Sequence, residues 1–243
     1  MDKIVSTNSE QVITHVGNSI VALAKQCITN NDKFTIALSG GSTPKLLYQY
    51  LINEQQFKTI DLSKIFVYFS DERYVPLDDE RSNYKLATDN LLKLLDIPEN
   101  NIFPVDTSLE NKTDSALNYQ NTIKKNITRN DHDIPEFDLI ILGMGTDGHT
   151  ASIFPKSELV LASDILVGSC FHQESGTDRI SFTFPLINAA KNIFIITVGI
   201  EKYNIIRDIK KSTKANAKLY PIQYVNPQGN LRWFSDTTAE YGV

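Results

Sequence analysis

Gly143-Met144-Gly145-Thr146-Asp147-Gly148-His149 holds the densest chemistry in the chain. It follows the apolar run 137–142 and spells G-x-G-x-x-G, a spacing that in a strand-to-helix turn cradles a dinucleotide pyrophosphate. Pro155 stands seven residues after Gly148, too early for the long helix such a pyrophosphate rests on. The next acid, Asp164, precedes its candidate strand instead of ending it, so a ribose-holding carboxylate is out of place. Another use of the loop fits better. Glycines let backbone N–H groups come close to a ligand, where they stabilise an oxyanion. His149 follows directly, and near neutrality an imidazole is the side chain suited to take a proton from water. Of the four histidines, His15, His132 and His172 stand in sequence surroundings that resemble no site. The expectation therefore falls on His149, with Asp147 two residues before it.

Two further apolar runs end in residues of chemical interest. Phe34–Leu38 leads into Ser39-Gly40-Gly41-Ser42-Thr43-Pro44. Free N–H groups at the start of a following helix, two hydroxyls and the positive end of the dipole suit a phosphate. The Walker pattern is absent, because no Lys-Ser/Thr follows a spaced glycine. An ordinary turn capped by Thr43, with Pro44 opening the helix, explains the same residues equally well. Ile65–Phe69 leads into Ser70-Asp71-Glu72-Arg73. The Arg73 fork matches phosphate oxygens, and Asp71 can hold a sugar hydroxyl or assist proton transfer. A surface ion pair is the plainer alternative. Arg179 immediately precedes one candidate strand and Lys202 follows another; for Lys202 a solvated charge is the plainer reading.

These residues need a scaffold that gathers strand ends. The chain supplies short apolar runs alternating with helical patterns. An amphipathic helix with Ile13, Val16, Ile20, Leu23, Ala24 and Cys27 on one face comes first. Strands are expected at Phe34–Leu38, Ile65–Phe69, 102–105, 137–142, 165–167, 180–184, 192–198 and 231–234, and helices after Pro44, after a Ser82 cap, at 113–127 and at 201–211. Such alternation predicts an α/β fold, a Rossmann-like, parallel-rich sheet covered by helices on both faces. In a parallel sheet the loops 39–43, 70–73 and 143–149 share one edge, where ligands bind. The 243 residues suit one domain spanning 1–243, with a smaller subregion around 156–185.

Composition narrows the classes. A net charge of -5 with no basic stripe argues against nucleic acid, and the basic stretch 202–218 is expected to be a solvated helix face. Two cysteines are too few for a disulfide framework or a closed zinc site. The start has no apolar leader, and no run is long enough to span a bilayer. A cytoplasmic monomer is the expectation. No G-x-S-x-G elbow and no metal-ligand cluster occurs, so hydrolysis is expected to use water activated by protein groups, without metal or cofactor.

Taken together, LSGGSTP (38–44), SDERYVP (70–76), SNY (82–84), LGMGTDGHTASIFP (142–155), RISFTFPLIN (179–188), VGIEK (198–202) and WFSD (233–236) resemble the 6-phosphogluconolactonase family. They run from about residue 34 to the end in the family's order, and the DGHTAS-x-FP element is highly specific. The resemblance implies a fold shared with sugar-phosphate isomerases and deaminases, and hydrolysis of 6-phosphogluconolactone in the oxidative pentose phosphate pathway. Carried over by motif, His149 is the base; Asp147 is expected to orient its imidazole or fix the loop, and Asp71 to hold a sugar hydroxyl or assist proton transfer. Gly40, Gly41, Ser42, Thr43, Arg73, Arg179 and Lys202 form the phosphate pocket. One departure is Lys156, where family members often have glycine, and residues 156–178 otherwise show little family pattern. Glucosamine-6-phosphate deaminases resemble the chain at the glycine loop but continue toward IAFNEP; here Thr150-Ala151-Ser152-Ile153-Phe154-Pro155 stands instead, without that glutamate.

Overall fold

The computed structural model describes residues 1–55, 57–211 and 220–243. Six strands form one sheet in which every neighbouring pair is parallel: β1 (Asp2–Ser6), β2 (Phe34–Leu38), β3 (Ile65–Phe69), β5 (Leu139–Gly143), β8 (Asn192–Thr197) and β9 (Asn230–Asp236). Their order is β1-β9-β8-β5-β2-β3. Three short strands, β4 (Asp71–Arg73), β6 (Val167–His172) and β7 (Thr177–Phe182), make a separate antiparallel sheet ordered β4-β7-β6.

The period of two along the buried strands divides their side chains between two cores. Leu139 and Ile141 of β5 join Phe194 and Ile196 of β8 in a core covered by α1 (Ser9–Asn31), α2 (Ser42–Asn53) and α3 (Asn83–Asn90). Ile140, Leu142, Ile193 and Ile195 point the other way, under α4 (Lys112–Asn126), α5 (Phe184–Asn188), α6 (Tyr203–Lys211) and α7 (Thr237–Tyr241). Helices thus cover both faces, as the alternating pattern predicts. In α1 the buried stripe includes Val12, Val16, Ile20, Ala24 and Cys27, and burial pushes the Cys27 thiol up to about 11.

Several boundaries differ from expectation. β1 and β4 were not anticipated. β1 is a half-exposed edge strand without a buried run, and its ladder with β9 decides its state. Residues 102–105 contribute only a bridge, Val67 to Ile102. The strand expected at 165–167 begins at Val167 and continues to His172, and the one expected at 180–184 ends at Phe182 because Phe184 opens α5. The Ser82 cap is present, its hydroxyl accepting from Lys85 N at 3.1 Å, but the helix stops at Asn90 and Leu94 is exposed. The helix expected at 201–211 begins as a tight turn, with α6 proper at Tyr203–Lys211; positions 212–218 of the basic stretch lie outside the described residues. Among the described residues no helix is long and apolar enough to cross a membrane.

The order of the parallel sheet reverses direction between β2 and β5: the chain moves outward to β3 on one side and to β8 and β9 on the other. At such a switch point the loops after the two strands diverge to opposite faces and leave a crevice at their carboxyl ends. Loops 39–43 and 143–149 flank that crevice, and β4 continues the end of β3 beside it.

Candidate active site

A cleft of about 340 Å³ lies there, and Gly40, Gly41, Ser42, Thr43, Asp71, Arg73, His149, Arg179 and Lys202 all line it. Asp147 does not; it stands behind His149.

One half of the cleft is built for an anion. α2 begins at Ser42 with Gly41 as its N-cap, and no side chain caps it. This corrects the expected Thr43 cap and the expected opening at Pro44, which is the third helical residue. Gly41 has φ of 109°, a conformation that favours glycine, and it leads into the first turn of α2, whose opening residues line the cleft and whose first N–H groups have no side-chain cap among the described residues. Arg73 and Arg179 stand directly opposite each other on β4 and β7. Like charges in that position repel, and among the described residues neither guanidinium has a carboxylate partner within salt-bridge distance. Arg73 Nη1 donates to Arg81 O at 2.5 Å and Arg179 Nη2 to Ser175 Oγ at 2.9 Å. Nε and Nη1 of Arg179 are buried with no acceptor among the described residues. Burial, followed by the charge of Arg73, lowers the pKa of Arg179. Lys202 is largely covered, with only a loose 4.0 Å approach to Glu201, so it is not the solvated charge that was the plainer reading. Three cations, Arg73, Arg179 and Lys202, thus converge on a cleft that Asp71 also lines.

Asp71 and Glu72 are buried and do not form a surface ion pair. Glu72 accepts from the N–H groups of Arg73, Asn83 and Tyr84 and from Ser82 Oγ, tying β4 to the start of α3. Its pKa is nevertheless raised, because burial outweighs those donors. Asp71 accepts from Ser152 Oγ at 2.7 Å and Asn83 Nδ2 at 3.2 Å. A carboxylate has about four acceptor sites, so Asp71 keeps capacity for a hydroxyl in the cleft.

The other half carries His149. His149 Nδ1 lies 2.6 Å from Asp147 Oδ1, which leaves Nε2 as the nitrogen available to the cleft. The same oxygen accepts the His149 backbone N–H at 3.1 Å. Burial pushes the Asp147 carboxyl up, but the hydrogen bonds and charge of His149 prevail and hold it below 3.8. Its stabilising contribution is therefore complete above that ordinary value and lost as pH falls through the depressed folded one. Melting curves of wild type and Asp147→Asn are expected to differ slightly at neutral pH and to converge as pH falls through the depressed folded value. The difference is small because the Asp147 side chain is 46% exposed.

Gly145 permits this pairing by close approach. A Cβ there would sit 2.1 Å from His149 Nδ1 and 2.6 Å from Asp147 Oδ1. Gly145→Ala is expected to displace the imidazole and lower activity about 100-fold, with the melting temperature nearly kept; unchanged turnover would contradict the geometry. The N–H groups of Gly145, Gly148 and His149 are engaged within the loop, to His149 O, Gly145 O and Asp147 Oδ1. The glycine loop thus offers fewer free oxyanion donors than its composition implies.

Asn83, Ser152, Phe154 and His172 line the same cleft and were not identified as site residues. His172 corrects the expectation that it belongs to no site. Its ring stacks on Phe154 at 4.2 Å, and Phe154 in turn lies 4.7 Å from the His149 ring. The alternation Gly168, Cys170, His172 along β6 is the signal that could have found it, had the strand been drawn to its full length. Lys156 has φ of 67°, a left-handed conformation that glycine adopts freely, which fits the glycine that the resemblance leads one to expect there.

An imidazole held by a carboxylate, facing two arginines across the switch-point crevice of a parallel α/β sheet, is an arrangement suited to acid–base chemistry on a small anionic substrate. The model of the glucosamine-6-phosphate isomerases/6-phosphogluconolactonase family matches residues 7–233, and the chain belongs to that family. A 6-phosphogluconolactonase of Synechocystis is 36% identical over 214 residues, covering 88% of this chain and 86% of the relative. The solved 6-phosphogluconolactonase of Trypanosoma brucei superimposes with a TM-score of 0.86 at 27% identity, covering 100% of this chain and 98% of that one. A monomeric glucosamine-6-phosphate deaminase gives 0.83 at 15% identity over 98% of both chains, a likeness of fold alone.

Proposed function

We propose that this enzyme hydrolyses 6-phosphogluconolactone to 6-phosphogluconate in the oxidative pentose phosphate pathway, with water activated by His149. The observation that carries the reading is that His149, held by Asp147, lines one cleft with the Arg73–Arg179 pair, which has no salt-bridge partner among the described residues. In this reading the phosphate rests on the N–H groups at the start of α2, countered by Arg73, Arg179 and Lys202. That tether holds the lactone carbonyl beside His149 and supplies most of the orientation. His149 Nε2 removes a proton from water as its oxygen bonds to the carbonyl carbon. The tetrahedral oxyanion then collapses, the bond from that carbon to the ring oxygen breaks, and the imidazolium returns its proton to the departing oxygen. Asp147 keeps the Nδ1 proton in place and steadies the imidazolium, while Asp71 holds a sugar hydroxyl. The whole chain acts as one catalytic domain.

The lactone opens spontaneously, so the test is acceleration over a buffer blank at matched pH. The deaminase relatives supply the competing outcome. Release of ammonia from glucosamine 6-phosphate without faster lactone opening would replace this reading.

A further inference from the structure

We infer that His172 contacts the substrate, donating from Nε2–H to a sugar hydroxyl that lies between the phosphate and the lactone carbonyl. The inference rests on the lactonase reading above. β6 and β7 pair so that Cys170 faces Arg179 and His172 faces Thr177. The period of two then sets His172 and Arg179 on the same side of the small sheet, the side that forms the cleft wall. His172 is tied to both halves of the site. Through Ser175 it reaches the anion cradle: His172 Nδ1 lies 2.7 Å from Ser175 Oγ, and that oxygen accepts from Arg179 Nη2 at 2.9 Å. Through Phe154 it reaches the base, by the two ring contacts already described.

Ser175 sets the ring's tautomer when its hydroxyl donates to Nδ1. A guanidinium only donates, so Arg179 takes a lone pair of Oγ and leaves the hydroxyl proton free. His172 Nδ1 is the only acceptor near that proton among the described residues. With Nδ1 accepting, the ring proton of neutral His172 stands on Nε2. Burial and the Arg179 charge lower the pKa of His172, which keeps it neutral at physiological pH. Nε2–H has no hydrogen-bond partner among the described residues, although His172 lines the cleft. A neutral donor with a set direction, placed between a phosphate cradle and a base, matches a hydroxyl of the sugar that joins them. An additional charge there would act mainly on the phosphate; an uncharged N–H reads ring stereochemistry.

The experiment compares wild type, His172→Phe and His172→Gln on 6-phosphogluconolactone and on unphosphorylated gluconolactone. Phe keeps the stack on Phe154 and removes the donor, while the Gln amide carries an N–H to a similar place. Expected is a loss in kcat/KM of about tenfold for His172→Phe on both lactones, the worth of roughly one hydrogen bond, with most of it restored in His172→Gln. Nitrogen-15 NMR of the free enzyme is expected to show His172 as the Nε2–H tautomer. Wild-type rates in His172→Phe, equal losses in Phe and Gln, a loss confined to the phosphorylated lactone, or an Nδ1–H tautomer would each overturn the inference. Failure of wild type to accelerate either lactone would instead remove the lactonase reading, and the inference with it.

Discussion

His149→Ala is expected to lower kcat for lactone hydrolysis by about 10²–10⁴-fold while leaving KM nearly unchanged. The ring stands at the cleft with Nε2 free and Nδ1 held 2.6 Å from Asp147, so its removal takes away the proton acceptor and leaves the cradle intact. Residual acceleration is expected from orientation alone, because the tether still holds the lactone in place. The fold is expected to survive, since the His149 side chain is 32% exposed and belongs to neither apolar core. Steady-state kinetics against a buffer blank checks this. A His149→Ala enzyme with full kcat would assign the base to another group, and Asp71 would be the first to test.

Arg179→Met is expected to do two opposite things. KM for the phosphorylated lactone rises about 100-fold, because charge-assisted hydrogen bonds to the phosphate are lost. The ligand-free protein becomes more stable by about 1–2 kcal/mol, because two buried donors without acceptors and a like-charged neighbour are removed. A merely structural arginine would show the reverse sign in stability. Inorganic phosphate is expected to raise the melting temperature of wild type, by filling the space between Arg73 and Arg179, and to raise that of Arg179→Met far less. Thermal melting with and without phosphate measures both. A destabilised variant with an unchanged KM would contradict the cradle.

The parts of the site legible in the sequence are those at the ends of buried parallel strands. Phe34–Leu38 and Ile65–Phe69 are mostly apolar and break abruptly into polar or glycine-rich residues, so their ends are sharp and their loops identifiable. His149 follows such an end and carries its own orienting acid two residues away, so local sequence alone brings the pair together. The antiparallel sheet was less legible for a physical reason. β4 has three residues, and β6 is only partly buried, so neither has the continuous apolar run that marks a core strand. Their state is set by pairing with β7, which sequence periodicity does not report. His172 was lost with them. Its place beside Phe154 depends on a hairpin register, and a one-residue slip would turn it to the other face. The capping of α2 failed in a related way. Thr43 and Pro44 look like a start signal, but Gly41 alone can take a φ of 109°, and the helix begins two residues before Pro44.

The central claim is that one cleft holds a phosphate at one end and hydrolyses a lactone at the other. The most direct test measures kcat/KM for 6-phosphogluconolactone and for unphosphorylated gluconolactone with the same enzyme preparation. Acceleration is expected on both, with kcat/KM larger by at least about 100-fold on the phosphorylated lactone, since the phosphate supplies the orienting energy. Equal values on the two lactones would contradict the account.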